Sequence, residues 1–204
     1  RPPTRKYARS NMCFGRFCVW HLVVRRGRWH PCTDMAMTEH PDDCDIASAS
    51  RARYGARISA KLARNPMVNK IASDNIEIYW RANFMSAQEC AQMRTMIDEN
   101  AQPSTLFSGS EGPEYRTSYS CHLDPYDPFI VALSNRIVAM MGIDAARGET
   151  IQGQRYAIGQ EYREHCDYFT GSAPYWPQMR AQGGQRCWTA MIYVSPVEAG
   201  GETW

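Results

Sequence analysis

The feature that most constrains the fold is a change of character after Thr150. Beyond it, "TIQGQRYAIGQEY" and "QRCWTAMIYVS" are rich in β-formers and cut by glycine, with the proline-bearing loop "GSAPYWPQM" between them. Before it, apolar residues recur at helical spacing. Helices followed by a run of strands predict an α+β domain in which helices back a sheet or barrel.

The helical part reads element by element. "RARYGARISAKLARN" predicts a basic helix over about 47–64, ended by Asn65-Pro66 because proline disfavours helical geometry in the residue before it. "NIEIYW" alternates Ile76, Ile78 and Trp80 against Glu77 and Tyr79, the period of a half-buried strand. Ser86 and Glu89 then form a capping box ahead of Cys90, Met93, Met96 and Ile97, with Pro103 marking the end. A further helix is announced by Asp127 as cap and Pro128 in the first turn. Its apolar stripe is Ile130, Leu133, Ile137 and Met141, and Gly142 is its stop. Both stripes read as core rather than as cofactor contacts.

Composition adds a boundary. Residues 1–36 hold eight of the 23 Lys and Arg and one of the 21 acids, giving +7, whereas the remainder carries 15 minus 20, or −5. A basic arm ahead of an acidic domain can bind nucleic acid or an anionic surface. The stretch shows no helical or strand periodicity, however, and the chain begins at Arg1. It therefore reads as disordered, or as upstream sequence read in frame with Met35 or Met37 as the start, and nucleic acid is not an expected partner. "CVWHLVV" is too short for a membrane span and runs into "RRGRW" without a small-residue cleavage site. The expected organisation is a basic segment over 1–36, a helical extension over 37–75 and the main domain over 76–204.

Of the eight cysteines, Cys13, Cys18, Cys32 and Cys44, with His21 and His30, loosely suggest zinc but match no familiar finger spacing. Cys90, Cys121, Cys166 and Cys187 are scattered singly. That usage favours free thiols in a reducing cytoplasm over a disulfide framework.

The chemistry concentrates in "YREHCDYF", residues 162–169. On a strand, His165 and Asp167 point to one face and can bind one metal together, while Cys166 points away. Two histidines and a carboxylate on one face of Fe(II) leave adjacent positions open for a chelating co-substrate and dioxygen. On "RCWTAMIYV", Thr189, Met191 and Tyr193 share one face, and Arg186, Trp188, Ala190, Ile192 and Val194 share the other. The first face suits a small-ligand pocket, although threonine and tyrosine are also simply β-favoured.

Taken in order, "QGQRYAIGQEYREHCDYF", "GGQRCWTAMIYVS" and "EAGGETW" resemble the prolyl 4-hydroxylase branch of the Fe(II)/2-oxoglutarate dioxygenases. The resemblance covers roughly Ile76 to Trp204 and includes "YRTS" at Tyr115 to Ser118. It implies a double-stranded β-helix, a jelly-roll or cupin-like core with amino-terminal supporting helices, incomplete at the carboxy terminus. It also implies that His165 and Asp167 are the first two iron ligands, that Tyr156 reaches 2-oxoglutarate, and that Tyr162 lines the substrate side. Thr189, Met191 and Tyr193 would form the pocket wall. The reaction implied decarboxylates 2-oxoglutarate to succinate with O2 and hydroxylates a peptidyl proline or related substrate, with ascorbate keeping the iron reduced.

The family pattern also requires a distal histidine as third ligand and a basic residue for the far carboxylate of 2-oxoglutarate, and the chain stops at Trp204 before either. His122, in "SCHLDPYDP", matches no family ligand and reads as a surface or loop residue. Two ligands hold Fe(II) weakly, so the expectation is a poorly soluble, inactive fragment of an enzyme. The alternative is a noncatalytic β-barrel binding domain that has lost its iron centre.

Overall fold

Two capped helices set the frame. The structure, a computed structural model, describes residues 17–19, 23–24, 45–73, 76–106, 113–165, 167–169, 171–181 and 184–201. In chain order these form β1 (Phe17–Val19), β2 (Val23–Val24), α1 (Asp45–Ala63), β3 (Asn69–Ile71), β4 (Glu77–Trp80), α2 (Ala87–Asn100) and β5 (Gln102–Pro103). β6 (Tyr119–His122), α3 (Pro128–Met141), β7 (Gln152–Arg155), α4 (Trp176–Ala181) and β8 (Ile192–Tyr193) follow. The cysteine and histidine side chains of the first 44 residues, and Cys166, lie outside the described residues.

Helix α3 starts where Asp127 accepts from the backbone N–H groups of Phe129 and Ile130, with Pro128 in the first turn, and stops at Gly142 in the left-handed region at φ 72°. These contacts satisfy orphan donors at one end, and glycine takes the turn at the other without a Cβ penalty. Its stripe of Ile130, Leu133, Ile137 and Met141 is buried as the spacing predicts. Helix α1 packs on α3, contributing Ile58 and Leu62 to the same core, and the Lys61 stem lies against Gly142, where any Cβ would meet it.

Helix α2 carries both halves of the expected capping box. Glu89 N–H donates to Ser86 Oγ at 3.2 Å, and Ser86 N–H donates to the Glu89 carboxylate at 2.7 Å. The Ser86 amide, and Arg136 at 2.9 Å, hold the Glu89 carboxyl below its ordinary range. A folded-state pKa below the unfolded value contributes stability that is complete above about pH 4.3 and lost as pH falls through the folded value. Ser86→Ala is expected to cost about 1 kcal/mol, seen as a lower midpoint in urea at pH 7, and the difference from the parent should shrink in acid.

Among the described residues, two small antiparallel sheets complete the fold. The larger has the order β5-β6-β7-β1-β8 and the smaller β2-β4-β3. Every ladder is antiparallel. Met93 and Ile97 of α2 pack with Cys121 of β6 in one core, and Arg94 reaches the Val194 carbonyl at 2.6 Å. The architecture is mixed α+β, as expected.

Several local readings are corrected. The alternation of "NIEIYW" is real, but its buried member is Tyr79, at 6% exposure, and Trp80 is exposed. Tyr79 and Glu77 face α1, where the Tyr79 hydroxyl donates to the Ser59 carbonyl and Ser59 bonds Glu77, so helix packing chose the mixed face over the apolar one. Helix α4 begins within the loop "GSAPYWPQM", and among the described residues the strands of the β-rich carboxy-terminal third are β7 and β8. His122 is exposed as expected, but it ends strand β6, opposite Gln152.

Candidate functional site

The site is assembled where two distant segments are pinned to the stretch 161–169. Arg116 forms an antiparallel bridge with Tyr162, and Arg163 N–H donates to the Tyr115 carbonyl at 3.0 Å. Thr117 and Glu161 clasp each other: Thr117 N–H donates to the Glu161 carbonyl, and Glu161 N–H to Thr117 Oγ1, both at 2.9 Å. The Tyr115 hydroxyl donates to the Glu164 carbonyl. On the other side, the Gln185 side-chain amide holds both backbone groups of Phe169, at 2.6 and 2.8 Å.

Between these anchors, His165 and Asp167 come together. His165 Nε2 lies 3.3 Å from Asp167 Oδ1. Among the described residues of this stretch, strand pairing is confined to the Tyr162 bridge, so His165 and Asp167 themselves are not in a described strand. Glu164 forms a bend just before the pair. His165 is held on three sides. Its ring stacks on Tyr162 at 3.6 Å and 15°, its Nδ1 lies 2.7 Å from the Arg163 carbonyl, and its Nε2 faces Asp167. An Nδ1–H donated to that carbonyl leaves the Nε2 lone pair toward Asp167, the tautomer a metal-ligating histidine needs. Tyr162 is in turn covered by the Arg116 guanidinium, 4.7 Å from the ring centre, and edged by Tyr115.

Asp167 has one oxygen for each neighbour. Oδ1 faces His165, and Oδ2 accepts from Thr189 Oγ1 at 3.1 Å. The alternation read from "RCWTAMIYV" holds: Ala190 and Val194 are buried, Trp188 and Ile192 pack on the core, and Thr189, Met191 and Tyr193 lie half-buried on the opposite side. Tyr193 lies on β8. Tyr156 follows β7 directly and donates its hydroxyl to Gln154 Oε1 at 2.9 Å.

Arg186 is the residue that sequence reasoning missed. Read there only as part of a strand face, it forms a two-pronged ion pair with Glu149, at 2.6 and 2.5 Å, and lies 3.5 Å from the Asp167 carbonyl and 4.5 Å from the Phe169 ring centre. Burial opposes its charge, but Glu149 and the nearby Asp167 outweigh it and raise its pKa further above the ordinary value. "QR" beside a strand carries no signal for a partner 37 residues away in sequence.

The donor set can be tested against a metal. Two ligands at right angles, each about 2.1 Å from an ion, stand about 3 Å apart, close to the 3.3 Å between His165 Nε2 and Asp167 Oδ1. The pair thus fits two neighbouring coordination positions. Among the described residues, no group of three His, Cys, Asp or Glu side chains converges to hold an ion. Thr189→Val, which keeps the shape and removes the hydroxyl on Asp167, is expected to weaken divalent-metal binding about 10-fold, read by calorimetric titration with Co(II).

The fold and site define a class: an α+β domain presenting an imidazole–carboxylate pair beside a half-polar strand. Comparison with known proteins makes the chain prolyl 4-hydroxylase-like. It is 39% identical over 126 residues to mouse prolyl 4-hydroxylase subunit alpha-3, matching 59% of this chain and 23% of the mouse protein. Against human prolyl 4-hydroxylase subunit alpha-3 it is 35% identical over 155 residues, or 74% of this chain and 28% of the human one. Arabidopsis thaliana prolyl 4-hydroxylase 2 is 28% identical over 144 residues, covering 68% of this chain and 46% of the plant protein. The chain thus spans about a quarter of the mammalian relatives and under half of the plant one. No family model matches it, and no solved structure matches it. Among the described residues, no helix is long and apolar enough to cross a membrane.

Proposed function

We propose that this chain carries the iron-ligating segment of an Fe(II)- and 2-oxoglutarate-dependent dioxygenase of the prolyl 4-hydroxylase type, on a double-stranded β-helix. The substrate is a peptidyl proline or a related group, the co-products are succinate and CO2, and ascorbate maintains the reduced metal. The supporting observation is the pair His165 Nε2 and Asp167 Oδ1, 3.3 Å apart, each fixed by a further contact. Its relatives' names give the reaction class.

In this reading His165 and Asp167 hold Fe(II), which when bound supplies the oxidising power that no side chain has. The protein's own part is placement. Tyr162 fixes the plane of the His165 ring by stacking, and Thr189 fixes the Asp167 carboxylate by donating to Oδ2. Thr189, Met191 and Tyr193 line the half-polar wall assigned to the co-substrate. Tyr156 serves the same ligand once its hydroxyl exchanges Gln154 for a carboxylate oxygen.

The test is titration of the protein with Co(II), standing in for Fe(II), followed by its visible absorption. A single site that His165→Ala removes supports the iron reading. Absence of any such site would sink it and leave a noncatalytic binding domain.

A further inference from the structure

Charge is segregated along this chain. Residues 46–73 hold six of the 23 Lys and Arg and no acid, whereas residues 74–204 hold nine of those cations against 16 of the 21 acids, a net −7. A basic helix therefore rides on an acidic body. Helix α1 buries Ile58 and Leu62 in the core, and its Ser59 bonds Glu77, so its apolar side is already covered by the domain. With no apolar face free, α1 lacks what an interfacial helix inserts into a bilayer surface.

The outward side of α1 is a ridge of cations. Arg53, Arg57 and Lys61 recur every four positions, Arg64 follows in the turn after the helix, and all four are exposed. The exposed residues beside them, Ala60 and Ala63, are small. Among the described residues the ion pairs are made by Lys70, Arg136, Arg155, Arg163, His165 and Arg186, and no ridge cation meets a carboxylate. Arg57 lies over the Tyr54 ring at 5.0 Å, and Arg147 approaches the same ring at 5.4 Å, which adds a further guanidinium to the flank of the ridge. Like charges four positions apart destabilise a helix. A bound polyanion would relieve that cost.

We propose that this ridge docks an acidic, extended segment of a second polypeptide. Four helical positions rise about 6 Å, and side chains two apart on an extended strand stand about 6.7 Å apart. Carboxylates at every second residue of such a segment therefore fall beside Arg53, Arg57 and Lys61 in turn. Guanidinium presents a planar fork that meets a carboxylate through two hydrogen bonds, and arginine predominates on the ridge. A nucleic-acid duplex would bring phosphates well beyond the ridge, over a body of net −7, whereas a single acidic strand keeps to the cations. The proposal rests on the charge pattern of α1 and does not depend on the metal chemistry.

The experiment titrates the full chain into a fluorescently labelled decapeptide of alternating Glu and Ser and follows anisotropy at low salt. Saturable binding is expected, and it should weaken as salt rises because exposed charges are screened. The matching decapeptide of Gln and Ser should not bind. Arg53→Glu combined with Arg57→Glu is expected to weaken binding about 10-fold or more, since it sets like charges against the peptide. No binding of the acidic peptide, equal binding of the two peptides, or an affinity unmoved by the charge reversal overturns the proposal. Should the charge reversal lower the melt, Arg53→Gln with Arg64→Gln takes its place and leaves the Arg57–Tyr54 contact intact. An unchanged affinity in that variant again overturns the proposal. A DNA duplex that binds more tightly than the peptide, and loses that affinity in the same variants, overturns the choice of occupant.

Discussion

Gly153→Val is expected to destabilise this domain by about 3 kcal/mol or more. Gly153 lies on β7 under helix α2, and a Cβ there would stand 2.5 Å from Ile97 Cγ1, 3.1 Å from Ile97 Cδ1 and 3.0 Å from Cys121 Sγ. Ile97 is fully buried, and Cys121 is nearly so, so neither can swing into solvent. Even one methyl forces an overpacked core, at a cost of about 1–3 kcal/mol. Valine adds two more carbons in the same direction, so a loss of about 3 kcal/mol or more follows. For a chain of this size that lowers the melting temperature by about 10 °C. The double mutant with Ile97→Ala provides the check. Room made by the smaller side chain should leave the two losses less than additive, and strict additivity would show that the close approach does not govern the effect.

Asp167→Ala is the second large effect, and it concerns binding. The carboxylate is about two-fifths exposed, so its removal spares the core, and a folded protein with the parent melt is expected. Metal affinity should fall more than about 100-fold, since loss of an outer-shell partner alone costs about 10–100-fold and Asp167 is the charged ligand itself. The effect should exceed that of Thr189→Val, which only frees the carboxylate that Thr189 orients. Co(II) titration of both variants gives the order. Equal affinities for Asp167→Ala and the parent would place any metal elsewhere.

What the sequence made legible was local. Caps at Ser86 and Asp127, the stop at Gly142 and the stripes of α2 and α3 depend on residues a few positions apart, and each appears where its spacing puts it. The alternation of residues 188–194 was equally plain, because every second side chain enters the core. The closeness of His165 and Asp167 was also legible, since two positions of separation suffice for it.

Longer-range choices were not legible. Tyr79 was turned inward by α1, which offers the Ser59 carbonyl to its hydroxyl, and no pattern within "NIEIYW" shows that helix. Phe17–Val19 takes its strand partners from β7 and β8, far along the chain. The Arg186–Glu149 pair joins two ordinary surface-type residues across 37 positions. In each case the deciding partner lies far along the chain, where periodicity carries no information.

The clasp between Thr117 and Glu161, with Thr189 reaching Asp167, has a consequence for how the site comes into being. The first closes a separation of 44 residues and the second one of 22. Helices α1, α2 and α3 need only neighbours to nucleate, while these contacts must await the closure of loops whose entropy is lost before any contact rewards it. The site is therefore a late event in folding, and during synthesis His165 and Asp167 emerge before the hydroxyl that orients them. A polypeptide ending before Thr189 holds both candidate ligands yet lacks the contact that aims the carboxylate, so metal capture belongs to the end of folding and not to its start.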